Sequence, residues 1–187
     1  MIVHYLVCTA DCGMTFHPTG HLDIKCYDDA DFAGLYCLDP DASPNSVCSR
    51  TGYIIILGNC PLLWKSQLQS KIALSTLQAE YSALSHCMCT LLPLCALLVE
   101  LTNGLSLSDN ITLSIKCTVF EDNSSMLLLE TNQNISACTE YFQAYWHFFW
   151  KAVNDQEVTV VKIDTKDQQA NFLTKGLTCK LFEPNRK

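Results

Sequence analysis

A β-hairpin over residues 51–64 is the sequence feature that most constrains the fold. Residues 51–57 read TGYIIIL and are mostly β-branched or aromatic, which favours a strand. The dipeptide Gly58-Asn59 is a turn signal, after which Leu62-Leu63-Trp64 can return as a second strand. The rest of the chain is therefore expected to build a sheet around this pair.

A long helix is predicted to follow the hairpin. Ser75 and Gln78 have the spacing of a capping box, so a helix should begin near Thr76 and continue towards residues 103–104. Glu80 would then lie in its second turn. The apolar run over residues 87–99 is shorter than the roughly 20 residues that span a membrane. We therefore expect a helix buried in the protein core, and no membrane partner.

The remaining patterns predict a single α/β domain. A loop is expected over residues 39–49, further strands over residues 21–27, 115–120 and 158–163, and helices over residues 126–129, 141–153 and 167–174. The resulting order, β-β-β-α-β-α-α-β-α, is typical of a mixed sheet flanked by helices. A chain of 187 residues is long enough for one such domain with its own core.

The charge and the cysteines narrow the functional classes. The net charge of −7 has the wrong sign for a protein that binds nucleic acid mainly by neutralising phosphates. The N-terminus lacks the basic and apolar regions of a secretory signal, and no Cys-x-x-Cys pair offers the spacing of a structural zinc site. We therefore expect the twelve cysteines to be reduced and the protein to be intracellular, either cytoplasmic or nuclear.

Three acidic residues stand at junctions between predicted elements. Asp29 follows the first strand, Glu80 lies early in the long helix, and Asp122 follows the strand over residues 115–120. Strand ends in an open α/β sheet are where ligands collect, so the three side chains can converge. Clustered carboxylates suit Mg²⁺ or Mn²⁺, and a pair of such ions can cleave a phosphodiester. The spacing alone also fits a loop carboxylate, a partner of the helix dipole and a cap.

Short blocks of sequence around these acids form an ordered series. Residues 26–34 read CYDDADFAG, and six further blocks follow, at residues 49–53 (SRTGY), 64–66 (WKS), 72–76 (IALST), 79–81 (AEY), 120–123 (FEDN) and 167–177 (DQQANFLTKGL). In this order they resemble the ribonuclease H domain of copia-type retrotransposon Pol polyproteins. The first block of that family is usually YVDADFAG, with a valine at the position of Asp28. The resemblance covers about residues 5–182, nearly the whole chain.

The resemblance implies a ribonuclease H-like fold, with a mixed central sheet of about five strands flanked by helices. It also implies a nuclease that hydrolyses the RNA strand of RNA–DNA hybrids with two Mg²⁺ or Mn²⁺ ions. By matching position, Asp29 is the carboxylate that bridges both ions, Glu80 is the helix carboxylate, and Asp122 is the one that ends the fourth strand. The implied partners are the hybrid and an upstream reverse transcriptase in the parent polyprotein.

The resemblance also divides the chain into segments. Residues 21–182 are expected to form the ribonuclease H-like domain. Residues 1–20 match a different part of the family pattern and are interpreted as a remnant of the upstream reverse-transcriptase connection. Residues 183–187, EPNRK, are polar and are expected to be a disordered tail.

The fourth acidic position departs from the family pattern. The family sequence is Gln-x-Ala-Asp, whereas this chain has an asparagine, Asn171. An amide keeps one acceptor oxygen but removes a negative charge, so we expect weaker binding of the second ion. Asp167, four residues earlier on the predicted helix, is an alternative ligand. Cys138, Glu140 and Tyr141 stand where the family usually has Arg, Lys and His, so the chain is interpreted as a degenerate copy.

Two other functions stay open at this point. The chain could be a catalytically inactive remnant that at most binds nucleic acid or a protein neighbour, and Asn171 is the residue that separates this reading from an active enzyme. A cysteine-rich intracellular interaction module would explain the pI near 5.0. That third reading leaves the ordered blocks unexplained. Divalent-ion-dependent cleavage of an RNA–DNA hybrid would separate the active enzyme from the other two.

Overall fold

A five-stranded mixed sheet forms the centre of the fold. The computed structural model describes residues 2–13, 15–19, 22–36, 47–105, 115–123, 149, 151–178 and 182. The strands are β1 (Ile24–Asp31), β2 (Arg50–Leu57), β3 (Cys60–Leu68), β4 (Cys117–Glu121) and β5 (Thr159–Lys162), in the spatial order β3-β2-β1-β4-β5. β1 pairs antiparallel with β2 and parallel with β4, and β4 pairs parallel with β5. The predicted α/β class is confirmed.

The predicted hairpin is formed by β2 and β3. Its turn residues have the left-handed backbone that tight hairpin turns require, with φ of 54° at Gly58 and 70° at Asn59. Glycine adopts this conformation without strain, and asparagine tolerates it better than most residues. The register shifts between Ile55 and Ile56, where β2 carries an irregularity.

A short helix, α1 (Ile2–Cys8), precedes the sheet. Its residues Val3 and Val7 are exposed. Further along, the backbone N–H of Thr19 donates to the carbonyl oxygen of Gly58 at 2.8 Å, which ties this segment to the hairpin turn. The interpretation of residues 1–20 as a polyprotein remnant stays a prediction, and residues 183–187 lie outside the described residues.

The long helix, α2 (Thr76–Gly104), begins at the predicted residue. The Ser75 hydroxyl accepts from the backbone N–H of Gln78 at 3.1 Å, and the Gln78 side-chain oxygen accepts from the backbone N–H of Leu74 at 2.7 Å. These two bonds satisfy donors that a helix start would otherwise leave unpaired. Glu80 therefore lies in the second turn, as expected.

Burial of α2 is concentrated in its first half. The buried residues are Ala79, Tyr81, Ala83, Leu84, Cys87, Met88, Leu91 and Thr102. In the second half, Leu97, Val99 and Leu101 are exposed. By length and composition alone α2 could cross a membrane, a test that core helices also pass. The first half packs on β1 and β2 as a core helix, so that part of the prediction is confirmed.

Two predicted boundaries were wrong. β1 was expected to end before the acidic cluster, but it continues to Asp31 because its antiparallel pairing with β2 continues, with Asp29 opposite Gly52. The helix expected over residues 167–174 is divided into a 3-10 helix (Thr165–Asp167) and a short helix, α3 (Asn171–Thr174). The Gln168 side chain causes the break, because it turns inward to bond the backbone of two strands.

The other predicted helices can be compared only in part. Residues 151–154, at the end of the helix expected over residues 141–153, are helical and precede β5. Phe149 and Ala152 are buried in the core together with Val158. The helix expected over residues 126–129, and most of the loop expected over residues 39–49, lie outside the described residues.

Candidate active site

The candidate site lies where the parallel pairing of β1 with β4 ends. Their last paired residues are Tyr27 and Phe120, whose rings stack with centroids 4.7 Å apart. Successive side chains of a strand point to opposite faces. Cys26 and Val119 therefore face the α2 core, and Tyr27 and Phe120 face the other side.

Asp29 lies on the face opposite α2, and its side chain is only 1% exposed. Thr174 donates its hydroxyl hydrogen to the carboxylate oxygen Oδ2. The Lys175 ammonium lies 3.0 Å from the other oxygen, Oδ1. Burial raises the pKa of Asp29, while its bonds from Thr174 and Lys175 lower it. The carboxylate is therefore held in place by the chain's own donors.

Glu80 reaches the same place from α2. Its carboxylate oxygen Oε2 accepts from the backbone N–H of Ala30 at 2.8 Å, which joins the start of α2 to the end of β1. Burial raises the pKa of Glu80 to about 9, and repulsion from Asp29, Glu121 and Asp122 adds to this. The bond from Ala30 places Glu80 beside Asp29, the preceding residue of β1, and the approach of Asp122 to both stays a prediction.

Glu121 and Asp122 end β4. Asp122 is partly buried, and its charge raises the pKa of Asp29 and Glu80. Glu121 is fully buried on the α2 side, and its oxygen Oε1 accepts from the backbone N–H of Asn123 at 2.9 Å. Burial raises the pKa of Glu121 to about 8, assisted by repulsion from Asp122 and Asp29. Acidic side chains thus occupy both faces of the sheet at this edge.

Asn171 is the first residue of α3, and both ends of its amide are used. The amide nitrogen donates to the carbonyl oxygen of Thr165 at 2.8 Å. The amide oxygen accepts from the Lys175 ammonium at 3.1 Å. Lys175 therefore joins Asn171 to Asp29. This places the fourth predicted position beside the first.

Two features hold α3 against the sheet. The Gln168 side chain, which is fully buried, donates to the backbone oxygens of Asp28 and Phe120 at 2.8 and 3.2 Å. Gly52 on β2 permits the close approach, because a Cβ added there would lie 2.6 Å from a Thr174 methyl carbon and 2.8 Å from the Leu173 Cβ. The absence of a side chain at Gly52 therefore allows Thr174 to reach Asp29.

Comparison with known proteins identifies relatives over nearly the whole chain. No family model matches. The chain is 30% identical over 182 residues to a retrovirus-related Pol polyprotein from transposon RE2 of Arabidopsis thaliana, covering 97% of this chain and 11% of that protein. It is 32% identical over 160 residues to the corresponding polyprotein from transposon TNT 1-94 of Nicotiana tabacum, covering 86% and 11%. The chain is a homologue of the copia-type Pol polyproteins.

The copia-type homologue spans only about a tenth of the length of these relatives. Among solved structures it resembles LC11 ribonuclease H1, isolated from compost by a metagenomic approach. The TM-score is 0.50 and the identity 14%, over 81% of this chain and 91% of the other. This likeness shows the ribonuclease H fold, which confirms the fold expected from the sequence.

In this copia-type domain the bond from Ala30 links Glu80 to the end of β1, and Lys175 links Asp29 to Asn171, whereas an ion-binding arrangement of all four predicted positions stays a prediction. Among the described residues, no group of three or more His, Cys, Asp or Glu side chains is arranged to hold a metal ion. Asp167, the alternative ligand, is exposed on the 3-10 helix that precedes the break at Gln168. Cys138, Glu140 and Tyr141 lie outside the described residues.

Sequence reasoning missed four participants in the site. Thr174 and Lys175 lie inside a matched block, and the four-residue spacing of Asn171 and Lys175 would have signalled contact on one helix face. Asp28 was noted only as a replacement for valine, and Glu121 only as part of a block. Their common burial on the α2 face follows from the register of β1 with β4, which the sequence does not show.

Proposed function

We propose that this ribonuclease H-like domain hydrolyses the RNA strand of RNA–DNA hybrids with Mg²⁺ or Mn²⁺ held by Asp29, Glu80 and Asp122. The observation that carries the proposal is the contact of α2 with β1, where the Glu80 carboxylate accepts from the backbone N–H of Ala30 beside Asp29, while Asp122 directly follows β4, the parallel neighbour of β1. Asp29, Glu80 and Asp122 come from different elements, and the charge of Asp122 raises the pKa of both Asp29 and Glu80.

The donor set fits a hard divalent cation. Asp29, Glu80 and Asp122 offer carboxylate oxygens, which are the ligands that Mg²⁺ and Mn²⁺ prefer. Burial and repulsion from neighbouring carboxylates raise the pKa of Asp29 and of Glu80, and a cation bound to the carboxylates would relieve that repulsion. When bound, a pair of such ions activates a water and stabilises the leaving oxygen.

Asn171 is proposed to reduce the rate of this reaction. The amide supplies one neutral oxygen where the family pattern has a carboxylate, so one negative charge is absent from the place where the second ion would bind. Its oxygen is also engaged by Lys175 at 3.1 Å. Both effects weaken the binding of the second ion more than that of the first, so slow cleavage is expected.

The hybrid is proposed as the nucleic-acid partner. The net charge of −7 makes the domain a weak binder of phosphates when it is alone. We therefore expect tight binding to require further basic surface, which an upstream reverse transcriptase of the parent polyprotein could supply. The binding of the domain alone is therefore expected to fall only shallowly with added salt, because few phosphates are neutralised.

A second candidate function is a catalytically inactive remnant that binds nucleic acid or a protein neighbour. The ion pair between Lys175 and Asp29 favours it, because an internal cation already neutralises the central carboxylate. The arrangement of the described acids, which does not enclose an ion, also favours it.

One assay separates the two candidates. A labelled RNA–DNA hybrid is incubated with the native protein and with Asp29→Asn, in Mg²⁺ and in Mn²⁺, and the RNA products are measured. Slow cleavage by the native protein, lost in Asp29→Asn and in excess chelator, is the expected result. Hybrid that stays intact with both the native protein and Asn171→Asp, while filter binding detects a complex, would establish the inactive binding module instead.

A further inference from the structure

The Lys175 ammonium lies at the centre of the candidate site. It is 3.0 Å from Oδ1 of Asp29 and 3.1 Å from Oδ1 of Asn171, so one nitrogen spans the gap between the first and fourth predicted positions. These are hydrogen-bonding distances to both oxygens. The ammonium therefore lies between two of the residues proposed to surround a metal ion.

The central carboxylate has both oxygens engaged within the chain. Thr174 donates to one oxygen of Asp29, and Lys175 donates to the other. Thr174 and Lys175 are consecutive residues at the end of α3, whose approach depends on Gly52. The docking of α3 therefore delivers a hydroxyl and a positive charge to Asp29 in one step.

At this position an asparagine satisfies its neighbours better than an aspartate would. Its amide oxygen accepts a hydrogen bond from Lys175, and its nitrogen donates to the Thr165 carbonyl. An amide can make both bonds at once, whereas a carboxylate cannot donate. The substitution and the lysine thus form one consistent set of contacts.

We propose that Lys175 is the built-in cation of this site, which neutralises Asp29 in place of a divalent ion and admits a metal ion to Asp29 only when its side chain moves away. The inference rests on the proposed function, because it specifies how the proposed ion gains access. The movement is feasible. The Lys175 side chain is 39% exposed, against 1% for Asp29, and its flexible stem can turn the ammonium into solvent.

The test measures Mn²⁺ binding, independently of cleavage. Free Mn²⁺ is followed by electron paramagnetic resonance during titration of the native protein and of Lys175→Met. Lys166→Met is the matched control, because Lys166 is exposed and pairs with Asp164 at 3.4 Å rather than with Asp29 or Asn171. Removing a positive charge that borders the ion should tighten Mn²⁺ binding by about tenfold or more in Lys175→Met. Lys166→Met should bind as the native protein does.

Two further variants keep the test decisive. Lys175→Arg keeps the charge, so it should bind Mn²⁺ no more tightly than the native protein. Lys175→Gln removes the charge but keeps a polar side chain, and it replaces Lys175→Met if that variant does not fold. As a second readout, Mn²⁺ should raise the thermal unfolding midpoint of the charge-removing variant more than that of the native protein.

The failures are distinguishable. Equal Mn²⁺ affinity in the native protein and in Lys175→Met, with tighter binding by Asn171→Asp, would overturn the role of Lys175 and leave the metal-dependent function standing. Mn²⁺ binding by none of the proteins, Asn171→Asp included, would overturn the proposed function and the role of Lys175 together.

Discussion

The amide of Asn171 is bonded at both ends, and this gives the substitution Asn171→Asp two opposite effects. A carboxylate at this position faces the carbonyl oxygen of Thr165, to which the amide now donates. We expect the metal-free variant to lose about 1 kcal/mol of its free energy of unfolding, the usual cost of a lost hydrogen bond. Chemical denaturation in chelator measures this loss.

The same substitution should raise hybrid cleavage. It returns a charged ligand to the second ion at nearly constant side-chain volume, so the rate in Mg²⁺ is expected to increase at least about tenfold. Asp167→Asn is the matched control, because Asp167 is exposed on the preceding 3-10 helix and is not expected to contribute. If the native protein cleaves the hybrid as fast as Asn171→Asp, and Asp167→Asn loses that cleavage, Asp167 supplies the fourth ligand.

Asp28 provides a second prediction at the scale of one residue. Among the described residues, neither of its carboxylate oxygens has a hydrogen-bond partner, and the side chain is fully buried beside Glu121 and Cys87. A buried carboxyl group without hydrogen-bond partners is costly in either protonation state, so Asp28→Val should raise the free energy of unfolding at pH 8 by roughly 1–4 kcal/mol. Urea denaturation gives the value directly.

The control for this prediction is Asp28→Asn. Asp28→Asn removes the ionisable group but keeps a polar group without partners, so it should stabilise the protein less than the valine does. A native protein more stable than Asp28→Val would indicate that the Asp28 carboxyl group makes a stabilising interaction. That result would contradict the account of Asp28 as an uncompensated buried acid.

At the scale of elements, the docking of α3 depends on Gly52. A methyl group there would overlap Thr174 and Leu173, so Gly52→Ala should push α3 away from β2 and weaken the bonds to Asp29. Overpacking of this kind commonly costs about 1–3 kcal/mol. We expect a loss of that size in urea denaturation.

Gly176→Ala is the matched control for Gly52→Ala. Gly176 lies two residues beyond α3, and a Cβ added there would meet nothing within 4 Å. Its stability and cleavage should therefore stay close to those of the native protein. Equal stability of Gly52→Ala and Gly176→Ala would mean that α3 is not pressed against β2.

The elements that sequence patterns predicted well are those whose signals are local. The β2–β3 turn is set by Gly58 and Asn59, and the start of α2 is set by the bonds between Ser75 and Gln78, all within a few residues. The break before α3 could not be predicted in this way. It depends on Gln168 reaching Asp28, 140 positions away in sequence, and such a contact exists only once the sheet has formed.

The same distinction applies to the candidate site. Asp29, Glu80 and Asp122 were predicted because each ends or begins an element and matches a family block. The Lys175 ammonium between Asp29 and Asn171 was not predicted, because it reaches Asp29 only through the approach of α3 to β1. Likewise, Asp28 and Glu121 meet only through the parallel pairing of β1 with β4.

For the whole molecule, the buried acids at this edge of the sheet predict an unusual dependence of stability on pH. Burial raises the pKa of Glu80 to about 9 and of Glu121 to about 8, and it raises that of Asp28 well above its ordinary value. In the unfolded chain these groups titrate near pH 4. Between pH 4 and about 9 the folded protein therefore binds more protons than the unfolded one.

The sign follows from proton linkage. Where the folded state binds more protons, the free energy of unfolding falls as pH rises. The stability that Glu80 and Glu121 contribute by binding protons is fully present below about pH 4. It is lost as pH rises through their folded pKa values of about 9 and about 8. We expect the free energy of unfolding to be lower at pH 8.5 than at pH 5.5 by on the order of 2 kcal/mol. Thermal and urea denaturation at both pH values measure the difference.

Variants and Mn²⁺ test whether these acids cause the effect. Asp28→Val combined with Glu121→Gln should flatten the profile, because it removes two of the groups that take up protons on folding. Mn²⁺ should also reduce the loss at pH 8.5, since a cation stabilises the ionised carboxylates of Asp29 and Glu80 at the pH where they repel each other most. A native protein that is equally stable at both pH values in chelator would contradict the burial of these acids. A pH-dependent loss of stability that Mn²⁺ leaves unchanged would instead support the burial of these acids and contradict the proposed binding of a metal ion.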